Sequence, residues 1–126
     1  MVKTFDTPYV YFELHDDLLI GRYKKGLKIN LEVAKEIVKL RQEFTGPEQV
    51  LGLIYNDGVI SMDKQGRDYL SSEEGARGII AAAYILDKPF NSFLANFFIA
   101  VSKTKIPVRT FSRKEAALKW LEQFRK

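Results

Sequence analysis

Between Gln49 and Asn56 the chain reads QVLGLIYN, apolar at successive positions and not at alternate ones. Successive side chains of a strand point to opposite faces, so such a strand carries apolar groups on both sides and must be covered on both. Directly after a helical segment, it fits a central parallel strand of an α/β layer structure. A second wholly apolar run, Ile79 to Leu86 (IIAAAYIL), poses the same problem. Its three alanines favour helix by propensity. The run is short, however, and ends at Asp87-Lys88-Pro89, so it reads as a buried strand.

The remaining pattern supplies the cover. Tyr9 to Leu14 alternates, with Val10, Phe12 and Leu14 on one face, and Leu18 to Tyr23 returns after a turn at His15-Asp16-Asp17. Asn30 is a helix N-cap whose side-chain oxygen can accept from an orphan backbone N–H. From Leu31 to Thr45 the period is helical, with Val33, Ile37, Leu40 and Phe44 as the apolar stripe and Gly46-Pro47 as the stop. Asp63 to Leu70 reads as a short helix and Ser71-Ser72-Glu73-Glu74 as the cap of another turn. Phe90 to Ser102 reads as a helix and Val108 to Phe111 as a strand. Ser112-Arg113-Lys114-Glu115 has the capping-box pattern and opens the last helix. No repeat or linker divides the chain. Residues 1–126 therefore read as a single α/β domain, with a mixed sheet of about five strands and helices on both faces. An antiparallel hairpin comes first, then parallel strands.

Composition removes most chemistries. There is no cysteine, hence no disulfide, thiolate metal site or cysteine nucleophile. His15 is the one histidine, which excludes a multi-histidine metal centre. No apolar run approaches the roughly 18 residues of a membrane span, and the first residues lack the apolar stretch of a signal peptide. The expectation is a cytoplasmic protein with no cofactor, no metal, no transmembrane segment and no enzymatic activity.

Several residue groups invite a functional reading. Gly21 to Gly26 has the glycine spacing of a phosphate loop, but Leu27-Lys28 follows where Lys-Ser or Lys-Thr is required. His15, Asp16 and Asp17 share a turn whose side chains diverge, which fits aspartates bonding their own backbone. Asp57, Asp63, Asp68, Glu73 and Glu74 follow the apolar strand, where α/β sheets place ligands, yet they match no metal-loop spacing. The net charge of +4 is mild, and the clusters Lys24, Lys25, Lys28 and Lys103, Lys105, Arg109, Arg113, Lys114 are interleaved with acids, so nucleic acid is not the expected partner. The segment from Pro89 to Ser102 carries no charge and is apolar around most of a helix. It reads as buried under a neighbour, as a self-association interface, or as a gate over an apolar pocket lined by Phe93, Phe97 and Phe98, with Asn96 the polar exception.

Three passages carry a family resemblance. Leu51 to Asn56 followed by Ile60-Ser61-Met62-Asp63-Lys64-Gln65-Gly66-Arg67-Asp68-Tyr69-Leu70 is similar to the apolar strand and Asp-Ser-Ser-Gly helix start of the STAS superfamily. Ala95-Asn96-Phe97-Phe98 and the terminal Pro107 to Leu121 segment, with Ala116-Ala117-Leu118 before Trp120-Leu121, complete the pattern. The chain most resembles the SpoIIAA-like branch, whose fold the lipid-binding CRAL–TRIO domains share in outline. In antagonists of this kind a serine after the aspartate is phosphorylated and switches partner binding. Lys64 and Gln65 stand there in this chain, and neither accepts phosphate from a serine kinase. The resemblance therefore implies a non-catalytic, regulatory protein-interaction module that works without phosphorylation. Its expected recognition surface comprises Asn56, Asp57, Asp63, Lys64, Gln65 and Gly66, for a protein partner or self-association. The alternative is a small carrier or sensor of an apolar, lipid-like ligand at Phe93, Asn96, Phe97 and Phe98.

Overall fold

The two-sided apolar strand lies inside the sheet, with a parallel neighbour on each side. A computed structural model describes residues 2–56, 58–86 and 104–125. Its elements are β1 (Val2–Asp6), β2 (Val10–His15), β3 (Leu18–Tyr23), β4 (Leu27–Ile29), α1 (Leu31–Thr45), β5 (Val50–Tyr55), β6 (Val59–Met62), α2 (Lys64–Leu70), α3 (Glu73–Ala76), β7 (Ile79–Ile85), β8 (Val108–Phe111) and α4 (Lys114–Glu122). The main sheet has six strands in the order β1-β2-β3-β5-β7-β8. The first three pair antiparallel and the rest parallel. Past their paired ends, the chains of β3 and β5 pair again as the parallel ladder β4–β6.

Alternation along the strands sorts the core into two layers. Val10, Phe12, Leu14, Leu19 and Val50 pack with Ala34 and Ile37 of α1, and Val59, Met62 and Tyr69 close this layer. Ile20, Leu51, Leu53, Ala81, Ala83 and Ile85 face the other way, against Ala117 and Leu121 of α4. The alanines of β7 make sense here: small side chains let α4 approach the sheet. Trp120 packs between Phe111 and Phe124, with ring centroids 5.7 and 4.9 Å away.

Local signals act much as the residues suggest. The Asn30 side chain accepts from the Val33 N–H at 2.8 Å, Asp63 accepts from Gly66 at 2.8 Å, and Ser72 accepts from Gly75 at 3.1 Å. Asp16 turns the β2–β3 hairpin with φ of 54°. At the far end of the chain, Arg125 grips Asp17 with two bonds of 2.8 Å and ties the C-terminal segment to that hairpin turn.

Three expectations change. The sheet gains an edge strand, β1, because Phe5 packs on Phe12 and Phe44, at centroid distances of 6.4 and 5.6 Å. The buried face of α1 is Ala34, Ile37, Val38, Arg41 and Thr45, rotated from the apolar stripe read in the sequence so that it includes an arginine. The capping box at Ser112 does not form: α4 starts one residue later, with Arg113 at the N-cap and no side-chain cap bond. Gly21, the first glycine of the rejected phosphate-loop spacing, is buried in β3, within the strand expected over Leu18 to Tyr23. The helix expected over 90–102 lies outside the described residues.

Short α3 is held close to the end of α2. A Cβ on Gly75 would stand 2.2 Å from the Tyr69 carbonyl oxygen and 2.8 Å from that of Leu70, and backbone cannot swing aside as a side chain can. A Cβ on Gly52 would meet nothing nearer than 3.7 Å. Gly75→Ala should therefore cost about 1–3 kcal/mol by overpacking, and Gly52→Ala far less, as read by the urea midpoints of the two variants.

Candidate functional site

Two places on the described chain have the ingredients of a site. The first is the turn from β5 through β6 into α2, at the carboxyl ends of the parallel strands. Asn56 ends β5 and is 2% exposed. Its backbone is bonded, the N–H to the Ile85 carbonyl at 3.4 Å and the carbonyl to the Val59 N–H at 3.2 Å. Neither side-chain amide atom has a hydrogen-bond partner among the described residues. Val59 and Met62 point into the core, whereas Ile60 is 56% exposed, one of two large apolar side chains so exposed among the described residues. Asp63 caps α2, and Lys64, with most of its side chain in solvent, pairs with Asp68 at 2.8 Å. Gln65 is exposed. Gly66 is buried, where a Cβ would come within 3.0 Å of the Ile29 and Asn30 carbonyl oxygens. An open groove beside this turn is lined by Asn30, Glu32, Lys35, Asp63 and Gln65.

Of the residues expected at the recognition surface, Asp63, Lys64 and Gln65 are thus exposed together at the start of α2, Gly66 is buried in the same turn, and Asn56 is buried at the end of β5. Asp57 lies outside the described residues, as do Phe93, Asn96, Phe97 and Phe98. The acidic series is dispersed: Glu74 pairs with Arg77 at 2.7 Å and Glu73 approaches Lys105 at 3.8 Å. Among the described residues no cluster of acids and histidine can hold a metal ion. His15 faces Glu13 at 3.2 Å.

The second place went unread in the sequence. Between the α1 face of the sheet and α1, α2 and α3 lies a cavity of about 70 Å³, walled by Ile37, Ile54, Ala82 and Gly75. Tyr23 and Tyr84 line it from the strands and Arg41 from α1. Arg41 is 5% exposed. Its Nη2 donates to the carbonyls of Gly75 at 3.1 Å and Arg77 at 2.9 Å, but Nη1 has no hydrogen-bond partner among the described residues. Burial lowers the guanidinium's pKa from its ordinary value, and Tyr84, Tyr23 and Glu74 pull it back up. Burial raises the pKa of both tyrosines, against the opposing pull of Arg41. Both hydroxyls accordingly remain protonated donors at neutral pH. An arginine in helical register with Ala34, Ile37 and Val38 was the available signal. It is easily passed over, because arginine is rarely fully buried.

Residues 12–125 match the family described as a domain of unknown function, DUF7793, and the chain belongs to that family. None of the curated proteins matches it. Among solved structures, the chain is similar to an uncharacterized protein of the DUF3478 family with a SpoIIAA-like fold from Shewanella loihica PV-4. The two are 15% identical, the match covers 95% of this chain and 93% of that one, and the TM-score is 0.59. At that identity the likeness shows the fold, which is SpoIIAA-like. No helix among the described residues is long and apolar enough to cross a membrane.

Two outcomes follow from the buried polar groups. The Tyr23 and Tyr84 pKa values are raised above the ordinary 10.0 in the folded chain. Above pH 10 the unfolded chain therefore binds fewer protons than the folded one, and stability falls as pH rises. In denaturation series from pH 8 to 11, Tyr23→Phe and Tyr84→Phe should each flatten that decline. Asn56→Leu removes two unbonded buried atoms without creating a void and should stabilise the protein by about 1–2 kcal/mol, measured by urea unfolding.

Proposed function

Taking membership of that family as the premise, we propose that the chain is a non-catalytic, single-domain interaction module that binds another protein through the turn from β6 into α2. The observation that carries this reading is Ile60. A large apolar side chain, 56% exposed, sits three residues before the cap of α2. It is followed by Asp63, Lys64 and Gln65 at the helix start, and leaving it in water forgoes about 2 kcal/mol of burial. An apolar contact ringed by charged and amide groups is the ordinary composition of a transient protein interface. The Asn56 carbonyl accepts from the Val59 N–H at the start of β6, and Gly66 lets α2 lie close to the Ile29–Asn30 backbone.

Regulation by a phosphoserine at the helix start has no acceptor in this chain, since Lys64 and Gln65 follow Asp63. The Lys64–Asp68 pair is exposed, so it contributes little to stability and leaves Lys64 available to an acidic partner. Binding would then be set by surface complementarity and by the abundance of the partner.

Ile60→Asp and Lys64→Glu should each leave folding stability within about 0.5 kcal/mol of the parent. Each should also weaken capture of the partner, identified by cross-linking in cells, at least tenfold in a calorimetric titration. Unchanged affinity in both variants would sink the assignment of this surface.

A further inference from the structure

We propose that the α4 side of the sheet, over β2 and β3, is a binding face for single-stranded RNA, with bases stacked on Tyr11 and on the Arg22–Tyr55 pair and phosphates drawn to Arg22 and Lys24. It lies on the other side of the sheet from the turn between β6 and α2, and it stands whether or not that turn binds a protein.

Alternation assigns the face. Phe5, Phe12 and Leu19 pack in the α1 layer, so Thr4, Asp6, Tyr11, Glu13 and Arg22 point the other way. Register then sets Asp6, Tyr11, Arg22 and Tyr55 abreast on β1, β2, β3 and β5. The helix on this side, α4, rests on β5, β7 and β8. Tyr11 and Tyr55 are half-buried there and Arg22 is exposed. Along the chain these rings and cations are separated by acids. The sheet brings them to one face, the arrangement that nucleic-acid binding requires.

The chemistry of the row specifies the ligand. The Arg22 guanidinium lies over the Tyr55 ring, 4.0 Å from its centroid. It is thus a planar cation held between two aromatic side chains, with Tyr11 on its other flank. The carboxylates of this face are engaged elsewhere: Asp6 with Lys24, Glu13 with His15 at 3.2 Å, and Asp17, before β3, with Arg125 at 2.8 Å. None of them pairs with Arg22 among the described residues. Lys24, which follows β3, adds a second cation in an exposed pair that a phosphate can replace. A ligand that answers this row is flat and anionic at once. A nucleic-acid strand is both, since bases stack on aromatic and guanidinium planes while phosphates meet the charge. Tyr11 and Tyr55 stand two strands apart, about 10 Å, so bases can lie on both with the guanidinium between them. One row along the strands, Thr4 and Glu13 are partners in register. Their oxygens are acceptors for the ribose 2′-hydroxyl that DNA lacks, which makes RNA the strand expected here.

The full chain would be titrated into a fluorescein-labelled twelve-nucleotide oligouridylate, read by anisotropy across about 50–200 mM salt, with oligothymidylate and an RNA duplex of the same length as comparisons. Saturable binding of the oligouridylate, at least fivefold tighter than either comparison, is expected. Tyr11→Ser should weaken it at least fivefold, the effect of one lost stacked base. Arg22→Gln should weaken it and reduce the slope of log K against log salt by about 0.7, one phosphate contact on a single strand. Arg22→Lys keeps the charge but not the plane, and should recover the slope without the affinity. Lys39→Gln removes the same charge from the exposed side of α1 and should leave binding within twofold. Four results would overturn the proposal: no saturable binding of the oligouridylate; an equal loss in Lys39→Gln, the mark of general attraction to a basic chain; no effect of Tyr11→Ser; or oligothymidylate binding as tightly as the RNA.

Discussion

Strands β5 and β7 present side chains that need cover on both faces, and every other element is arranged around that need. Leu51, Leu53, Ala81 and Ala83 turn toward α4, while Val50 and Ile54 on the intervening positions turn toward α1. A helix on one side alone would leave half of each strand in water. The two helical layers are thus coupled through the same backbone: moving α1 shifts the strands on which α4 rests. Close packing propagates such shifts because interiors have few voids to absorb them.

The cavity beside Arg41 is a local exception, and its cause is visible. Small residues stand opposite one another where larger ones would have filled the layer, and one of the long side chains bordering it, Arg41, carries a charge. Its guanidinium holds the α3–β7 connection by two backbone carbonyls, so the group that shapes the cavity also fixes the entry into β7. Stability and the character of the cavity therefore rest on one residue. The surface at β6 and α2 is built differently. There the backbone is packed tightly under Gly66, Asp63 caps α2, and Ile60 and Gln65 stand exposed beside it.

Much of this was legible from residue order. The two-sided apolar runs located β5 and β7, the alternation of Val10, Phe12 and Leu14 located the hairpin, and Asn30, Asp63 and Ser72 marked helix starts by chemistry that operates within four residues. What was not legible depended on distant partners. Val2–Asp6 is too polar to announce a strand, and it becomes one because Phe5 finds Phe12 and Phe44. The ladder β4–β6 consists of two very short segments that pair only because β3 and β5 deliver them side by side. Arg41 looked like a surface residue because nothing in the sequence shows that the carbonyls of Gly75 and Arg77 will meet it. The start of α4 slipped past Ser112, where the local capping signal did not decide the boundary. For the candidate surface, the sequence marked a turn, yet it could not show that Asn56 and Gly66 would be buried and Ile60 exposed.

The sheet order β1-β2-β3-β5-β7-β8 never doubles back. Each strand lies beside the one made just before it in the main sheet, so during synthesis the sheet can grow at a single advancing edge, with no strand inserted between two that are already paired. The cost is that every incomplete chain ends in an open edge of unpaired backbone groups, and this edge is apolar on both faces when it is β5 or β7. Arg125, reaching back to Asp17, can tie that hairpin turn only after every strand of the sheet has been made. In this molecule vectorial assembly and spatial order coincide, and the same coincidence makes the unfinished protein the form most in need of protection from its own copies.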